Sequence, residues 1–391
     1  MGKVCLMLSN DTSVEPRYPR KRILESQDIP ANPQPIKRLT QKPYFEPLTE
    51  LFDKGKYMKN MILIAFLMLG ARHAFATGRD ATLTAGTTPE QLLKNSQRIL
   101  FLGDSITQGG NYVANFDAWL VKTFPNQRFT VINGGLSSET VSGLSEDNHA
   151  GGKFPRPCLF ERLERVLAKT KPDLIIACYG MNCGIYKELN EERYARYRYG
   201  ILRLRAAAQQ YGTEVVHVTP PIFDNHGKAG FDYDSVLTTY AEWLVDQREQ
   251  GWHVADLHSE MRAKVDQIKK QDPEFTVQKD RVHPNGDGHW MMAQCLIAYF
   301  GDPASAQVAS AKELLDGSRL NAITQRMRSY QKAIHAETKP LRPGVPKEGS
   351  LESAAAEAKQ LEERIYLKKQ LGAIKVEQPA AQLQSEGTPS D

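Results

Sequence analysis

A serine, an aspartate and a histidine stand in segments that could together move a proton. Ser105 lies in GDSIT, directly after the apolar run Arg98–Leu102, and Asp280 and His283 lie three residues apart in DRVHPN. A serine hydroxyl is a weak nucleophile that needs a base, and an imidazole with its usual pKa of about 6.5 can accept a proton at neutral pH. A carboxylate at this spacing can hold the imidazole in one tautomer and stabilise its charged form.

The same residues also have a structural interpretation. Asp104, Ser105 and Thr107 all suit the N-terminus of the next helix, and the pair Asp280 and His283 can cap the helix that follows it. GDSIT is not the GxSxG pattern of the α/β-hydrolases. Taken singly, the two segments therefore leave catalysis and helix capping open.

Two further segments offer hydrogen-bond donors for an oxyanion. Asn182 in YGMNCG has a side-chain amide, and the turn NGGLSSET over residues 133–140 has backbone N–H groups that could also donate. Each preorganised donor contributes on the order of 3 kcal/mol of transition-state stabilisation. An ordinary role in a turn is an equally good interpretation of Asn182.

Apolar, β-rich runs alternate with amphipathic helical stretches from residue 97 to residue 301. The predicted strands are Arg98–Leu102, Phe129–Ile132, Asp173–Cys178, Glu214–Val218 and His253–Leu257. The predicted helices are Tyr112–Phe124, Leu159–Lys169, Glu188–Tyr211, Tyr233–Gln250 and Gly286–Phe300. This alternation predicts a three-layer α/β/α sandwich around a five-stranded parallel sheet.

In a parallel sheet, ligands bind beyond the carboxyl ends of the strands. The segments predicted to leave the strands are GDSITQGG, NGGLSSET, YGMNCGIY, TPPIFDNHG and HSEM, and the loop before the last helix is KDRVHPNGDGH. All six are expected at one rim, which would bring the candidate residues together.

The order of these blocks resembles the SGNH/GDSL hydrolase family of GDSL-like lipases, acylhydrolases and serine esterases. The resemblance covers about residues 97–301 and is most specific in FLGDSITQG and DRVHPNGDGH. It implies that Ser105 is the nucleophile, that His283 is its base and that Asp280 orients the histidine.

The resemblance also implies an oxyanion hole made of the Ser105 N–H, a turn N–H and the Asn182 side chain. In the family the turn donor belongs to a glycine, and here that position is Ser138, with Gly135 earlier in the turn. A position that needs a positive φ would be strained by serine. The alternative is that the loop shifts and a neighbouring residue supplies the second donor. Cys183 stands where the family often has aspartate, and we expect it to alter the rim of the pocket.

The expected activity is acyl-ester hydrolysis by a Ser-His-Asp triad, with no metal and no organic cofactor. The polar insertions 146–157 and 223–234 favour a small-molecule or carbohydrate ester, such as an O-acetyl sugar. The alternatives are a lipase or lysophospholipase-type acylhydrolase, and a non-catalytic carbohydrate-binding relative, which only the departure at Ser138 supports.

Net charge and cysteine content indicate which partners, disulfides and metal sites to expect. The net charge of the 391 residues is +4 and no dense basic stripe occurs, so we expect no nucleic-acid partner. Four of the five cysteines lie beyond residue 76, and their even number suits one or two disulfides. These four are Cys158, Cys178, Cys183 and Cys295, and their spacing does not suggest zinc.

Residues 58–76 have the pattern of a secretory signal peptide, with lysines, a short apolar run and small residues before Ala76. The run is too short for a membrane span. We therefore expect export to the periplasm or the extracellular space after cleavage near Ala76, with residues 1–57 arising from a misplaced translation start. The alternatives are a disordered extension at residues 1–57 and a cytoplasmic enzyme with a buried helix here.

The chain changes character after Pro303. Residues 304–337 and 350–372 favour helix, so 304–372 is predicted to be a helical extension, and 373–391 a disordered tail. One apolar stripe comprises Leu351, Ala355, Ala358, Leu361 and Ile365. It either packs against the domain or binds a partner.

Overall fold

The structure, a computed structural model, describes residues 86–225 and 231–366. The predictions for residues 1–57, 58–76 and 373–391 lie outside these ranges. No helix within the described ranges is both long and apolar enough to cross a membrane.

A five-stranded, fully parallel sheet forms the centre of the fold, in the order β2-β1-β3-β4-β5. Its strands are β1 (Arg98–Gly103), β2 (Thr130–Asn133), β3 (Leu174–Cys178), β4 (Glu214–Val218) and β5 (His253–Ala255). Every residue of β3 is buried, as expected for a strand covered on both faces. The predicted α/β/α fold with a five-stranded parallel sheet is confirmed.

Helices flank the sheet and continue beyond it. Up to β5 they are α1 (Pro89–Lys94), α2 (Ser105–Gly109), α3 (Asn111–Thr123), α4 (Leu163–Thr170), α5 (Glu191–Gln210) and α6 (Tyr233–Asp246). After β5 they are α7 (Leu257–Lys269), α8 (Gly286–Tyr299), α9 (Ala311–Leu314), α10 (Gly317–Thr338) and α11 (Leu351–Tyr366). Short 3₁₀ turns cover His149–Gly152, Leu159–Glu161, Gln247–Gln250 and Ser305–Gln307.

Three helices were not predicted as such: the short helices α1 and α2, and the longer α7. The segment HSEM, expected to be a loop at the rim, is the first turn of α7, which begins directly after β5. Asp256 caps this helix by accepting a hydrogen bond from the Ser259 N–H, and Leu257, Met261 and Val265 are buried along one stripe. The placement of HSEM on a loop is therefore wrong, because an aspartate alone separates strand from helix.

The corner between β1 and α2 requires its small residues. A Cβ on Gly103 would lie 2.0 Å from the Thr107 hydroxyl and 2.8 Å from the Cys178 carbonyl oxygen. Asp104 caps α2 by accepting a hydrogen bond from the Ile106 N–H at 2.9 Å. The capping interpretation of this segment is correct for Asp104, and it places Ser105 at the first helical position.

The C-terminal helices pack onto the sheet domain. Helix α10 contacts α3, α4 and the edge strand β2. A buried ion pair joins it to α3, since the Arg326 guanidinium lies 2.8 Å from both carboxylate oxygens of Asp117. A lone charge at this depth would be costly, so the pair fixes how α10 sits on α3.

Helix α11 packs against α10 and buries Ala354, Ala358, Leu361 and Ile365. Ala355, which was predicted to belong to this stripe, is exposed, and Ala354 takes its place. The apolar stripe of α11 is thus already covered within the chain.

Burial of Asp104 gives a testable pH dependence. Asp104 is 3% exposed, and burial raises its pKa to about 6, against the opposing effect of the Ile106 hydrogen bond. The stability that the protonated carboxyl provides is complete below pH 3.8 and is lost as the pH rises through about 6. The difference between the ordinary pKa of 3.8 and the raised pKa of about 6 corresponds to about 3 kcal/mol in the free energy of unfolding.

We expect Asp104→Asn to gain melting temperature relative to the wild type as the pH rises from 4.5 to 7.5, because the amide keeps the cap without the buried charge. Thermal unfolding at both pH values measures this trend. Asp272→Asn, at an exposed position, is the control for a general charge effect. A difference between Asp104→Asn and wild type that stays constant with pH would contradict the raised pKa.

Candidate active site

Ser105 and His283 meet at the carboxyl end of β1. The Ser105 Oγ lies 2.8 Å from the His283 Nε2, although 178 residues separate them in sequence. Ser105 stands at the start of α2, and His283 stands in the loop before α8. The structure therefore places the predicted nucleophile and base within hydrogen-bond distance.

Asp280 lies on the far side of the imidazole. Its Oδ2 is 2.6 Å from the His283 Nδ1, and its Oδ1 accepts hydrogen bonds from the N–H groups of Val282 and His283. Partial burial raises the pKa of the Asp280 carboxyl, but the hydrogen bonds from His283 and Val282 outweigh it and hold the pKa below its usual range. The carboxylate is thus ionised at neutral pH and fixes Nε2 as the atom that faces Ser105.

The loop that carries Asp280 and His283 is held by a residue that sequence analysis missed. Gln278 is fully buried, and its Nε2 donates to the carbonyl oxygens of Ile222 at 2.7 Å and Val282 at 3.0 Å. One contact ties the loop to the segment after β4, and the other closes the loop on itself. An isolated glutamine in sequence gives no indication of this role.

The turn after β2 packs directly against α2, the helix that begins at Ser105. A Cβ on Gly135 would lie 2.4 Å from the Gln108 backbone nitrogen and 2.8 Å from the Thr107 Cβ, so only glycine fits there. The Gln108 Oε1 accepts a hydrogen bond from the Ser137 N–H at 2.5 Å. These contacts set the position of the turn relative to Ser105.

Ser138 has the backbone conformation that the sequence suggested for this position. Its φ is +68°, in the left-handed region that favours glycine. Among the hydrogen bonds of the described residues, the backbone N–H groups of Ser105 and Ser138 donate to no protein acceptor. Both groups are therefore available to a ligand.

Asn182 lies beside the same turn. Its Oδ1 accepts a hydrogen bond from the Tyr186 hydroxyl at 3.0 Å, which directs the amide Nδ2 the other way, toward the Glu139 carbonyl oxygen at 3.4 Å. Asn182 is 3% exposed. The structure thus brings Asn182 to the turn that holds Ser138, and the long bond to Glu139 leaves its Nδ2 weakly engaged.

A buried cluster that the sequence did not reveal anchors this turn. The Arg162 guanidinium contacts both carboxylate oxygens of Glu139, at 2.6 and 2.8 Å, and donates to the Gly134 carbonyl at 2.7 Å. The Tyr179 hydroxyl donates to the Glu139 Oε2 at 2.6 Å. Glu139 and Arg162 lie 23 positions apart with nothing in the local pattern to link them.

The cysteines differ from the predictions. Cys158, Cys178, Cys183 and Cys295 are all free, so the expectation of one or two disulfides among them is wrong. Cys183 is fully buried, so the prediction that it alters the pocket rim is also wrong. Burial raises the pKa of the Cys183 thiol to about 12, and the side chain serves as packing.

The helix that follows the loop of Asp280 and His283 has a packing role in its first turns. His289 and Met292 on α8 are both buried, and the His289 ring stacks on Tyr112 at 6.1 Å. Within the part of the chain that the structure describes, no group of three or more His, Cys, Asp or Glu side chains could hold a metal ion.

The sequence around this site matches a known protein family. Residues 101–291 match the model of the GDSL-like Lipase/Acylhydrolase family. This range contains all five candidate residues, the turn after β2 and the whole sheet except the first three residues of β1. No curated protein matches the chain.

Solved structures align with about half of the chain. BT4096, a gut microbial diltiazem-metabolizing enzyme, is 22% identical over 52% of this chain and 47% of its own, with a TM-score of 0.41, so this chain spans about half its length. A catalytic mutant of Axe2, an acetylxylan esterase from Geobacillus stearothermophilus, is 21% identical over 52% of this chain and 94% of its own (TM-score 0.41). The acetyl xylan esterase AlAXEase is 18% identical over 51% and 98%, with a TM-score of 0.42.

The match of the family model covers every candidate residue of the site and strands β2 to β5 in full. Over residues 101–291, the chain therefore forms a domain of the GDSL-like lipase/acylhydrolase family, a family of ester-bond hydrolases.

Proposed function

We propose that the chain is an exported serine esterase that cleaves short acyl esters, with O-acetylated sugars as its substrate class. The observation that carries this proposal is the continuous hydrogen-bonded chain from Ser105 through His283 to Asp280, with distances of 2.8 and 2.6 Å. It supplies a nucleophile, a base and an orienting carboxylate in one line.

In the first half of the proposed reaction, the His283 Nε2 takes the Ser105 proton as the Oγ attacks the ester carbonyl. The imidazolium is stabilised by Asp280. The oxyanion is held by the N–H groups of Ser105 and Ser138 and by the Asn182 amide, which have no strong protein acceptor to give up. His283 then returns the proton to the leaving alcohol.

In the second half, water hydrolyses the acyl-enzyme. The side chains of His283 and Asp280 are about half exposed, at 51% and 57%. Water can therefore reach the imidazole directly, lose its proton to Nε2 and attack the acyl carbon. The serine leaves with that proton, and the site returns to its starting state.

The substrate class is inferred from the insertion 146–157. The Arg156 guanidinium forms two hydrogen bonds of 2.6 Å to Glu146 and lies 5.3 Å from the centre of the Tyr186 ring, whose hydroxyl contacts Asn182. Charged and hydrogen-bonding groups thus surround the oxyanion side of the site. Such a surface favours esters whose alcohol is rich in hydroxyl groups, such as sugars, over esters with a long acyl chain.

Ser105→Ala should lower ester hydrolysis by at least about 10⁴-fold, because no other group can form the acyl-enzyme. Hydrolysis of p-nitrophenyl acetate and labelling by a fluorophosphonate probe measure the loss. Ser259→Ala, at an exposed serine on α7, should keep both signals. A wild-type protein that neither hydrolyses esters nor takes the label, yet binds glycans, would instead identify a non-catalytic relative.

Activity should fall as the acyl chain lengthens from acetyl to palmitoyl. Each additional methylene gains about 0.8 kcal/mol only where it becomes buried in an apolar site, and the polar insertion offers no such surface. A series of p-nitrophenyl esters, together with a per-O-acetylated monosaccharide, measures this preference. A steep rise in kcat/KM toward long chains would favour the lipase-type acylhydrolase.

Export predicts a mature N-terminus at Thr77, directly after the small residues that end at Ala76. N-terminal sequencing and intact mass of the protein from its native cell locate this terminus. A protein that retains residues before Met58 would contradict export and would support a cytoplasmic enzyme.

A further inference from the structure

Two residues from beyond the family domain hydrogen-bond to the turn after β2. The buried His335 of α10 has its Nε2 2.9 Å from the Gly135 carbonyl oxygen. Arg342, four residues after the end of α10, donates from its Nε to the Ser137 carbonyl oxygen at 2.9 Å. The C-terminal segment therefore contacts the peptide groups that lead into Ser138.

The contact of Arg342 is informative because of peptide geometry. The Ser137 carbonyl and the Ser138 N–H belong to one planar peptide, and the described residues contain no cis peptide bond. In a trans peptide these two groups point in opposite directions. A bond that fixes the Ser137 carbonyl oxygen therefore also fixes the direction of the Ser138 N–H, which is the proposed second oxyanion donor.

Ser138 makes such a restraint necessary. A non-glycine residue with φ of +68° is strained. Rotation of the peptide between Ser137 and Ser138 would relieve this strain, but it would also turn the N–H away from the pocket. A hydrogen bond from a charged guanidinium to the carbonyl oxygen opposes that rotation, and it polarises the peptide so that its N–H becomes a stronger donor.

Arg342 is itself held in place. Its backbone N–H donates to the Pro340 carbonyl at 2.7 Å, and its Nη1 donates to the Pro343 carbonyl at 2.9 Å. Its guanidinium also lies 5.5 Å from the centre of the Phe154 ring in the insertion 146–157. The side chain is thus directed to the turn by short-range contacts on its own segment.

We propose that Arg342 is a positioning residue for the oxyanion turn, which holds the Ser138 N–H toward the acyl oxygen where the family has a glycine. The proposal rests on the proposed esterase function, and Arg342 does not touch the substrate. It acts through the Ser137 carbonyl, so its contribution belongs to the transition state rather than to substrate binding.

Arg342→Met should lower kcat for p-nitrophenyl acetate about tenfold to a hundredfold, with KM changed by less than about twofold, because an oxyanion donor acts mainly in the transition state. Arg342→Lys, which keeps a donor of the same charge, should recover part of kcat and serves as the second variant if Arg342→Met folds poorly. Thermal unfolding of both checks that they are folded.

The matched control is Arg165→Met. The Arg165 Nε also donates to a backbone carbonyl of the C-terminal segment, that of Thr338 at 2.7 Å, but it does not contact the turn. This variant loses the same kind of bond and should keep a kcat close to that of the wild type.

A double-mutant cycle separates positioning from general stability. Ser138→Gly removes the strain, so Arg342→Met should cost less kcat in the Ser138→Gly enzyme than in the wild type. A kcat for Arg342→Met equal to that of Arg165→Met would overturn the proposal, and so would an equal loss in both backgrounds. A wild-type enzyme without esterase activity would reject the proposed function, whereas an active enzyme insensitive to Arg342 rejects this inference alone.

Discussion

The turn after β2, which packs against the helix of Ser105, depends on the buried ion pair between Glu139 and Arg162. Both side chains are fully shielded from solvent, so neither charge could stay there without the other. Arg162 also holds the Gly134 carbonyl, and Glu139 ends the turn. The pair therefore fixes both ends of a short segment, and only Ser138 between them adopts a strained conformation. Strain is tolerated at this position because the surrounding contacts determine it.

The other parts of the site follow the same physical plan. Asp104 caps the helix that presents Ser105, and Gln278 closes the loop that presents His283. In each case a buried polar side chain satisfies backbone groups, while the reactive atom remains accessible to solvent. Buried hydrogen bonds are stronger because the surrounding dielectric constant is low. The buried side chains of Asp104 and Gln278 therefore hold the backbone rigidly, although Ser105 and His283 are themselves partly exposed. The proposed nucleophile Ser105 and the proposed base His283 can then keep their alignment without being fully buried themselves.

Sequence predicts the features whose causes are local. Strands buried on both faces are continuously apolar, which is why the sequence predicts the sheet. The three-residue spacing of Asp280 and His283 already limits how the carboxylate can contact the imidazole. The glycine that the family has at the position of Ser138 indicated that serine would be strained if φ were positive there, and the structure has a φ of +68°. The pairing of Glu139 with Arg162 was not predictable, because it joins a turn to a helix and leaves no periodic pattern. The free cysteines were missed for a related reason, since an even count carries no information about which thiols the fold brings together.

Helix α10 covers the edge strand β2, and its contacts reach the turn that follows that strand. The residues concerned, Arg326, His335 and Arg342, are translated only after the entire sheet. During synthesis, the edge of β2 and the turn at Ser138 therefore lack these contacts until the C-terminal helices have been made. Until then, Asp117 has no counter-charge and the edge of β2 is open to pairing with other strands. The geometry of the site is in this sense the final product of folding, completed by a segment that contributes no reactive group.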